Sequence, residues 1–180
     1  WGRKAKDDAW MQWAGLRAAQ MADIWNEVYA GMEDRVVPTV GVHSGWLGLE
    51  ESLLEAPLWV AEGNTKPAER FEAYAVTGYF GFELGGDEYA PQLVEWIDAD
   101  EADIRAEGQA QGLQRVALRE FVAERDLSAA YPATAALLRE TSLPELVETL
   151  WPYHAKTAAS YGMEMVMYEG GTHVAPHGQW

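Results

Sequence analysis

The sequence predicts an α/β fold built around a parallel sheet. Three short runs are rich in β-branched and aromatic residues, and each ends at a glycine or a polar residue, as strands do. Stretches with helical periodicity separate these runs. Alternating helices and strands imply a parallel sheet with right-handed crossovers. At 180 residues, the chain has the length of one ordinary domain.

The predicted strands cover residues 35–43, 71–80 and 163–169. The first helix is predicted over about residues 8–30, where most large apolar side chains fall on one face and Gly31 provides a stop. These side chains are Trp10, Trp13, Met21, Ile24, Trp25 and Val28. We expect most of the nine tryptophans to lie in the core, although exposed tryptophans also form flat platforms for carbohydrates.

Further helices are predicted between and after the strands. The leucines within residues 49–59 indicate a short helix, and residues 91–125 and 128–140 have longer helical patterns. Ser142 is predicted to be the N-cap of a last helix, which runs to about residue 160 and ends before Gly162.

The distance between the second and third predicted strands exceeds what one crossover needs, so we expect a helical insertion over about residues 87–140. Three strands alone make a poor parallel sheet, because both faces of such a sheet need cover. A (β/α)8 barrel needs about 250 residues. We therefore expect residues 1–180 to be part of one TIM-barrel domain, and the start at Trp1, without a methionine, agrees with a piece of a longer chain.

Composition excludes several classes of function. The chain has 13 Lys and Arg against 29 Asp and Glu, which gives a formal net charge of -16. Nucleic acids and anionic membranes repel such a surface. No apolar run approaches the roughly 18 residues of a membrane span, and the basic start of the chain lacks the apolar segment of a signal peptide. The absence of cysteine excludes disulfides, thiolate metal sites and a Cys nucleophile.

The sharpest candidate for chemistry is Glu169, at the carboxyl end of the third predicted strand, where parallel α/β folds place functional residues. Strand alternation puts Glu169 on one face with Met163, Met165 and Met167. If that face is a barrel interior, the carboxylate lies at the mouth, where it can attack an anomeric carbon or take a proton. The alternative is a glutamate that caps a helix or forms a salt bridge.

Aromatic and histidine side chains at the other strand ends are candidate partners of Glu169. Tyr79 can donate a hydrogen bond that keeps the carboxylate ionised and oriented, or it can be a packing residue with a hydrated hydroxyl. His43 can contact a substrate hydroxyl, although a lone histidine at a strand end also serves structure. Trp46 and Trp180 can stack on a sugar ring, or pack in the core or against a subunit. Tyr168 and His173 are further candidates for substrate binding.

We expect no metal and no cofactor. His173 and His177 have the spacing of a helical metal pair, but Pro176 and the nearby glycines argue against a helix there. The glycines around Tyr79 match neither a dinucleotide-binding nor a Walker pattern. No serine lies in the G-x-S-x-G elbow of α/β-hydrolases.

Residues 17–29, 75–81 and 168–171 resemble segments of clan-A glycoside hydrolase barrels, in particular a poorly characterised group of bacterial, often secreted multidomain proteins. In that clan, the nucleophile Glu ends the seventh strand, a Tyr near the end of the sixth strand hydrogen-bonds to it, and the acid/base Glu follows an Asn at the end of the fourth. The resemblance implies the second half of a (β/α)8 TIM barrel, with the helical insertion between its sixth and seventh strands.

The resemblance implies that Glu169 is the nucleophile and that Tyr79 orients it. Asn26 and Glu27 lie inside a helical pattern, so we do not assign them as the acid/base pair, which is expected before Trp1. The sequence thus predicts a retaining glycoside hydrolase, extracellular or at the cell surface, that acts on a poly- or oligosaccharide. The missing part of the barrel or another subunit would supply the acid/base.

Three alternatives stay open at this point. The first is a non-catalytic carbohydrate-binding or cell-surface module that keeps the barrel fold. The second is an assembly protein whose tryptophans and helical insertion make subunit contacts. The third is another α/β enzyme that uses Glu169 as a general base on a substrate that is not a sugar.

Overall fold

The strands form one small parallel sheet. In chain order they are β1 (Thr39–Gly41), β2 (Ala73–Phe80) and β3 (Glu164–Thr172), and they lie in the order β1-β2-β3. β1 runs parallel to β2, with Val40 opposite Tyr74. The N–H of Glu164 donates to the carbonyl oxygen of Glu72 at 2.9 Å, so β3 begins beside the start of β2. The predicted α/β class with a parallel sheet is therefore confirmed.

The computed structural model describes residues 9–177, and the chain divides into two units. The first unit contains the residues up to Gly78 together with Val147–Gly170, and the second contains Tyr79–Leu146 together with the residues from Gly171 onward. The helices, in chain order, are α1 (Ala9–Val28), α2 (Leu49–Glu55), α3 (Pro57–Val60), α4 (Ala90–Ala110), α5 (Arg115–Ala123), α6 (Ala130–Glu140), α7 (Ser142–Pro144) and α8 (Trp151–Ser160). Among residues 9–177, no helix combines the length and the apolar character needed to cross a membrane.

The core of the first unit lies between the sheet and the helices on one of its faces. Its buried cluster joins β-strand residues such as Val40, Tyr74 and Val76 to Leu54 of α2 and Ala158 of α8. Burial of one such large side chain contributes roughly 1.5–3 kcal/mol. The helices therefore cover the face of the sheet on which Tyr74 and Val76 lie.

Helix α1 matches its predicted bounds, but the prediction for its core face is wrong. The six large apolar side chains predicted to form that face are between 45% and 62% exposed, while the helix buries Leu16 and small residues such as Ala19 and Ala22. A Cβ on Gly15 would lie 1.9 Å from the carbonyl oxygen of Leu53, so the backbones of α1 and α2 approach closely. At the crossing itself there is room only for a glycine, and the six predicted side chains face away from it.

The first predicted strand is longer than the observed one. Glu33–Arg35 forms a 3-10 turn, and only Thr39–Gly41 pairs with β2. Pro38 has no N–H to donate to a ladder, and it restricts the residue before it, so regular pairing begins after the proline.

The single helix predicted over residues 91–125 is also wrong, because α4 and α5 are separate. Gly112 follows α4 with φ +81°. Its N–H donates to the oxygen of Gln109 at 2.9 Å, and the N–H of Leu113 donates to the oxygen of Gly108 at 3.0 Å. These two bonds form a Schellman motif, which ends a helix at a left-handed glycine.

The predicted last helix begins at Ser142 and ends at Ser160, as expected, but its middle is irregular. A π-helical segment, Glu145–Leu150, lies between α7 and α8. Pro152 removes one backbone donor from the first turn of α8 and crowds the carbonyl four residues earlier, which favours the wider turn. Ser142 does not cap its own helix, because its hydroxyl accepts the N–H of Gly81.

Candidate functional site

The loop of residues 42–48, which follows β1, carries two of the predicted site residues together. The rings of His43 and Trp46 meet edge to face, with their centroids 6.3 Å apart. The ring of Trp10, in the first turn of α1, lies 6.4 Å from that of Trp46. Trp10 is 55% exposed and Trp46 is 54% exposed, and His43 is exposed as well. We call Trp10, His43 and Trp46 the aromatic surface.

Ser44 attaches this loop to the sheet where the pairing of β1 ends. The last backbone bond joins the N–H of Val42 to the oxygen of Ala75 at 3.0 Å. One step further, the Ser44 hydroxyl accepts the N–H of Thr77 at 2.7 Å and lies 2.9 Å from the Thr77 hydroxyl. The side chain thus replaces the carbonyl that a longer strand would offer, and it leaves its neighbours on the loop free to face solvent.

Glu169 lies on β3, which is on the other side of β2 from this loop. Its side chain is exposed, and it makes no hydrogen bond or ion pair within residues 9–177. A Cβ on the following residue, Gly170, would lie 2.9 Å from the oxygen of Gly78, so β3 passes very close to β2 here. Because Ser44 bonds to Thr77 from the other side of β2, two strand spacings, about 10 Å, separate the backbones of the loop and of Glu169.

The methionines of β3 pack on the side of the sheet that the helices cover. Met163 belongs to the buried core cluster, and Met165 packs against it together with Trp151 of α8. The sulfur of Met167 lies where a Cβ on Gly78 would be, next to the Trp151 ring. The contacts with Trp151 show that the helices cover this face of β3. A methionine side chain suits such a position, since it is flexible enough to pack against an irregular aromatic surface. Strand alternation assigns Glu169 to the same side and Tyr168, which is 60% exposed, to the other.

Tyr79 and His173, both in the second unit, lie together. Their ring centroids are 5.2 Å apart, and Phe82 lies 5.8 Å from His173. His177 stacks on Phe82, with centroids 4.1 Å apart and planes at 6°. This is a second group of exposed rings, and the predicted hydrogen bond from Tyr79 to Glu169 stays a prediction. Trp180 lies outside the described residues.

A buried polar network lies beneath the aromatic surface, and sequence reasoning missed it. His154 of α8 is fully buried, and its ring nitrogens lie 2.9 Å from the carbonyl oxygen of Ser44 and 2.7 Å from the hydroxyl of Tyr74. Burial raises the pKa of Tyr74, and the hydrogen bond to Glu50 raises the pKa of Tyr153. Both hydroxyls therefore stay protonated and available as donors.

Trp10 was also missed as a site residue, because its helical spacing indicated a core position. The sequence feature that could have indicated both residues is the position of each side chain within its helix. His154 stands one helical turn before Ala158, on the buried face of α8, and Trp10 stands in the first turn of α1, where a helix meets its surroundings. Among residues 9–177, no three His, Asp or Glu side chains converge as ligands of a metal ion.

The arrangement can hold a flat, partly apolar ligand on the aromatic surface, with the Glu169 carboxylate on the far side of the neighbouring strand. Comparison of the chain with protein-family models, with curated proteins and with solved structures gives no match.

Proposed function

We propose that this protein binds a saccharide on the aromatic surface formed by Trp10, His43 and Trp46. The observation that carries the proposal is the exposure of two indole rings, 6.4 Å apart, at the carboxyl edge of a parallel sheet. Large aromatic rings that stay in water mark binding surfaces, because their burial by a ligand is favourable. The C–H faces of sugar rings match such platforms, and the imidazole of His43 supplies a polar group for a sugar hydroxyl.

Charge narrows the class of saccharide. The chain carries a formal net charge of -16, and such a field disfavours the approach of anionic ligands. The preferred ligand is therefore a neutral oligosaccharide or a neutral stretch of a polysaccharide.

A second candidate function adds hydrolysis to this binding. It takes the protein to be the second half of a (β/α)8 barrel and a retaining glycoside hydrolase, with Glu169 as nucleophile. One observation favours it: the sheet is parallel with helices on one face, as in a barrel. The nucleophile role further requires that the exposed carboxylate of Glu169 turn from the helix-covered face toward the barrel mouth. Retention needs a second carboxyl group about 5–5.5 Å from the nucleophile, which residues outside this chain would supply.

Titration calorimetry with cellohexaose, xylohexaose and mannohexaose tests the binding proposal. We expect one of these neutral hexasaccharides to bind, and Trp46→Ala to weaken that binding by roughly tenfold or more, because a stacked tryptophan is a typical hot-spot residue. Trp25→Ala is the matched control, since Trp25 is 52% exposed on the same helix that carries Trp10 but stacks on Tyr29. Equal effects of the two substitutions would remove the aromatic surface as the site.

Hydrolysis is tested separately, with the complete protein and an aryl glycoside. Glu169→Gln keeps the shape of the side chain and removes the nucleophilic carboxylate, so turnover should fall by at least about a thousandfold while hexasaccharide binding persists. Glu164→Gln, at the exposed start of the same strand, is the control and should leave turnover unchanged. Turnover that survives Glu169→Gln would exclude the nucleophile role and leave the binding proposal intact.

A further inference from the structure

We propose that His154 is a positioning residue for the aromatic surface: from α8, it fixes the loop of residues 42–48 in the conformation that presents His43 and Trp46. This inference rests on the proposed function, because it concerns the same surface. His154 is 0% exposed, whereas the two side chains it would position are exposed. It acts through the backbone of the loop and does not touch the ligand.

The hydrogen bonds of His154 define the tautomer of its neutral ring. The carbonyl oxygen of Ser44 can only accept, so the Nε2 atom of His154, 2.9 Å away, must carry the proton and donate. The Nδ1 atom of the neutral ring is then an acceptor, and the Tyr74 hydroxyl donates to it at 2.7 Å. The imidazole thus connects β2 to the loop through one fixed tautomer.

Ser44 is held from two directions. Its carbonyl accepts from His154, and its hydroxyl accepts the N–H of Thr77 at 2.7 Å. A residue fixed at both its backbone and its side chain has little freedom to rotate. His43 precedes it directly, and the N–H of Trp46 closes a turn onto the oxygen of His43 at 3.2 Å, so the orientation of Ser44 determines that of both rings.

The residue next to His154 holds the other end of the same loop. The Tyr153 hydroxyl donates to Glu50, and the Glu50 carboxylate accepts the N–H of Gly48 at 3.0 Å. Glu50 is only 3% exposed, so this connection is also shielded from water. Two consecutive residues of α8 therefore hold the loop at Ser44 and at Gly48, and Trp46 lies midway between these points.

Two substitutions of His154 separate positioning from simple packing. His154→Leu keeps an apolar side chain of moderate size and removes both hydrogen bonds, whereas the amide of His154→Gln can still donate to the oxygen of Ser44. We expect His154→Leu to weaken binding of the preferred hexasaccharide by roughly tenfold, and His154→Gln to restore most of the affinity. In protein labelled with 5-fluorotryptophan, the Trp46 signal should shift and broaden in His154→Leu and return in His154→Gln.

Ala158→Gly is the matched control, because Ala158 is buried on the same helix and contacts no loop residue through a side-chain hydrogen bond. It should lower the melting temperature without moving the Trp46 signal or the affinity. A folded His154→Leu protein with the wild-type Trp46 signal would overturn the proposal. So would a His154→Gln protein that behaves like His154→Leu.

The wild-type protein gives a test that needs no variant and no ligand. Long-range ¹H–¹⁵N correlation spectra of the histidine rings should show His154 protonated at Nε2 and unprotonated at Nδ1 near neutral pH. The opposite tautomer would remove the bond to Ser44 and overturn the proposal. If none of the hexasaccharides binds, the proposed function fails, while the Trp46 signal and the His154 tautomer still decide whether His154 positions this loop.

Discussion

Two segments that flank β2 in the first unit differ in how they are held. The loop of residues 42–48 is tied from beneath by buried hydrogen bonds of Ser44, Glu50 and His154. The side chain of Glu169, on the other side of β2, is exposed and makes no hydrogen bond or ion pair within residues 9–177. The difference indicates that the loop of residues 42–48 is held in one conformation without a ligand. Any partner of the Glu169 carboxylate would have to come from outside residues 9–177. The proposed binding and the proposed hydrolysis can therefore be tested separately.

The largest expected difference is in the free energy of unfolding, between substitution of Glu50 and substitution of Glu169. Glu50→Ala leaves the Tyr153 hydroxyl and the Gly48 N–H without their acceptor, in a site where the carboxylate is 3% exposed. We expect a loss of about 3 kcal/mol in the free energy of unfolding, measured by urea denaturation. Glu169→Ala should change it by no more than about 0.5 kcal/mol, because the side chain is exposed. Similar losses for both variants would show that the two segments are held alike.

Glycine-to-alanine substitutions compare how tightly the backbone is packed next to Glu169 and in the loop of residues 42–48. Gly170→Ala would place a Cβ 2.9 Å from the oxygen of Gly78, and one of the two strands must move. We expect a loss of about 2 kcal/mol in unfolding free energy. Gly45→Ala, in the aromatic loop, has only His43 Cε1 nearby, at 3.8 Å, and should cost roughly nothing. Thermal unfolding of both variants checks this, and a costly Gly45→Ala would mean that the loop is packed more tightly than its contacts indicate.

The smallest expected effect is a loss of stability in alkali. Burial raises the pKa of Tyr74 above its ordinary value of 10.0, and the hydrogen bond to Glu50 raises that of Tyr153. A raised pKa favours the protonated form in the folded state. The stabilisation is therefore complete below about pH 10 and is lost as the pH rises toward the folded-state values. The unfolding free energy should fall as the pH rises above about 10, and less so in Tyr74→Phe. A flat profile would contradict the buried, protonated hydroxyls.

Sequence patterns predicted the long regular elements of the fold well. The first helix was expected over residues 8–30 and is Ala9–Val28, and the second strand was expected over residues 71–80 and is Ala73–Phe80. Periodicity could not predict which face of α1 is buried, because the close crossing at Gly15 selects small side chains over large ones. It also missed the end of α4, since a single glycine within a helical pattern does not reveal its backbone conformation.

The candidate site was predicted only in part. His43 ends a predicted strand and Trp46 follows Gly45, which is a local pattern, and the structure brings their rings together. His154 bonds to a residue 110 positions away in the sequence, and no local pattern records such a pairing. Alternation predicted that Met163, Met165, Met167 and Glu169 share one face of the strand, but it could not tell which face the helices cover.

The central claim is that a neutral saccharide lies on the aromatic surface. The most direct test follows the tryptophan indole N–H signals in ¹H–¹⁵N spectra while cellohexaose, xylohexaose or mannohexaose is added. The account predicts saturable shifts for Trp10 and Trp46, with Trp25 unmoved. If all three sugars leave Trp10 and Trp46 unchanged, or if Trp25 moves instead, the claim is contradicted.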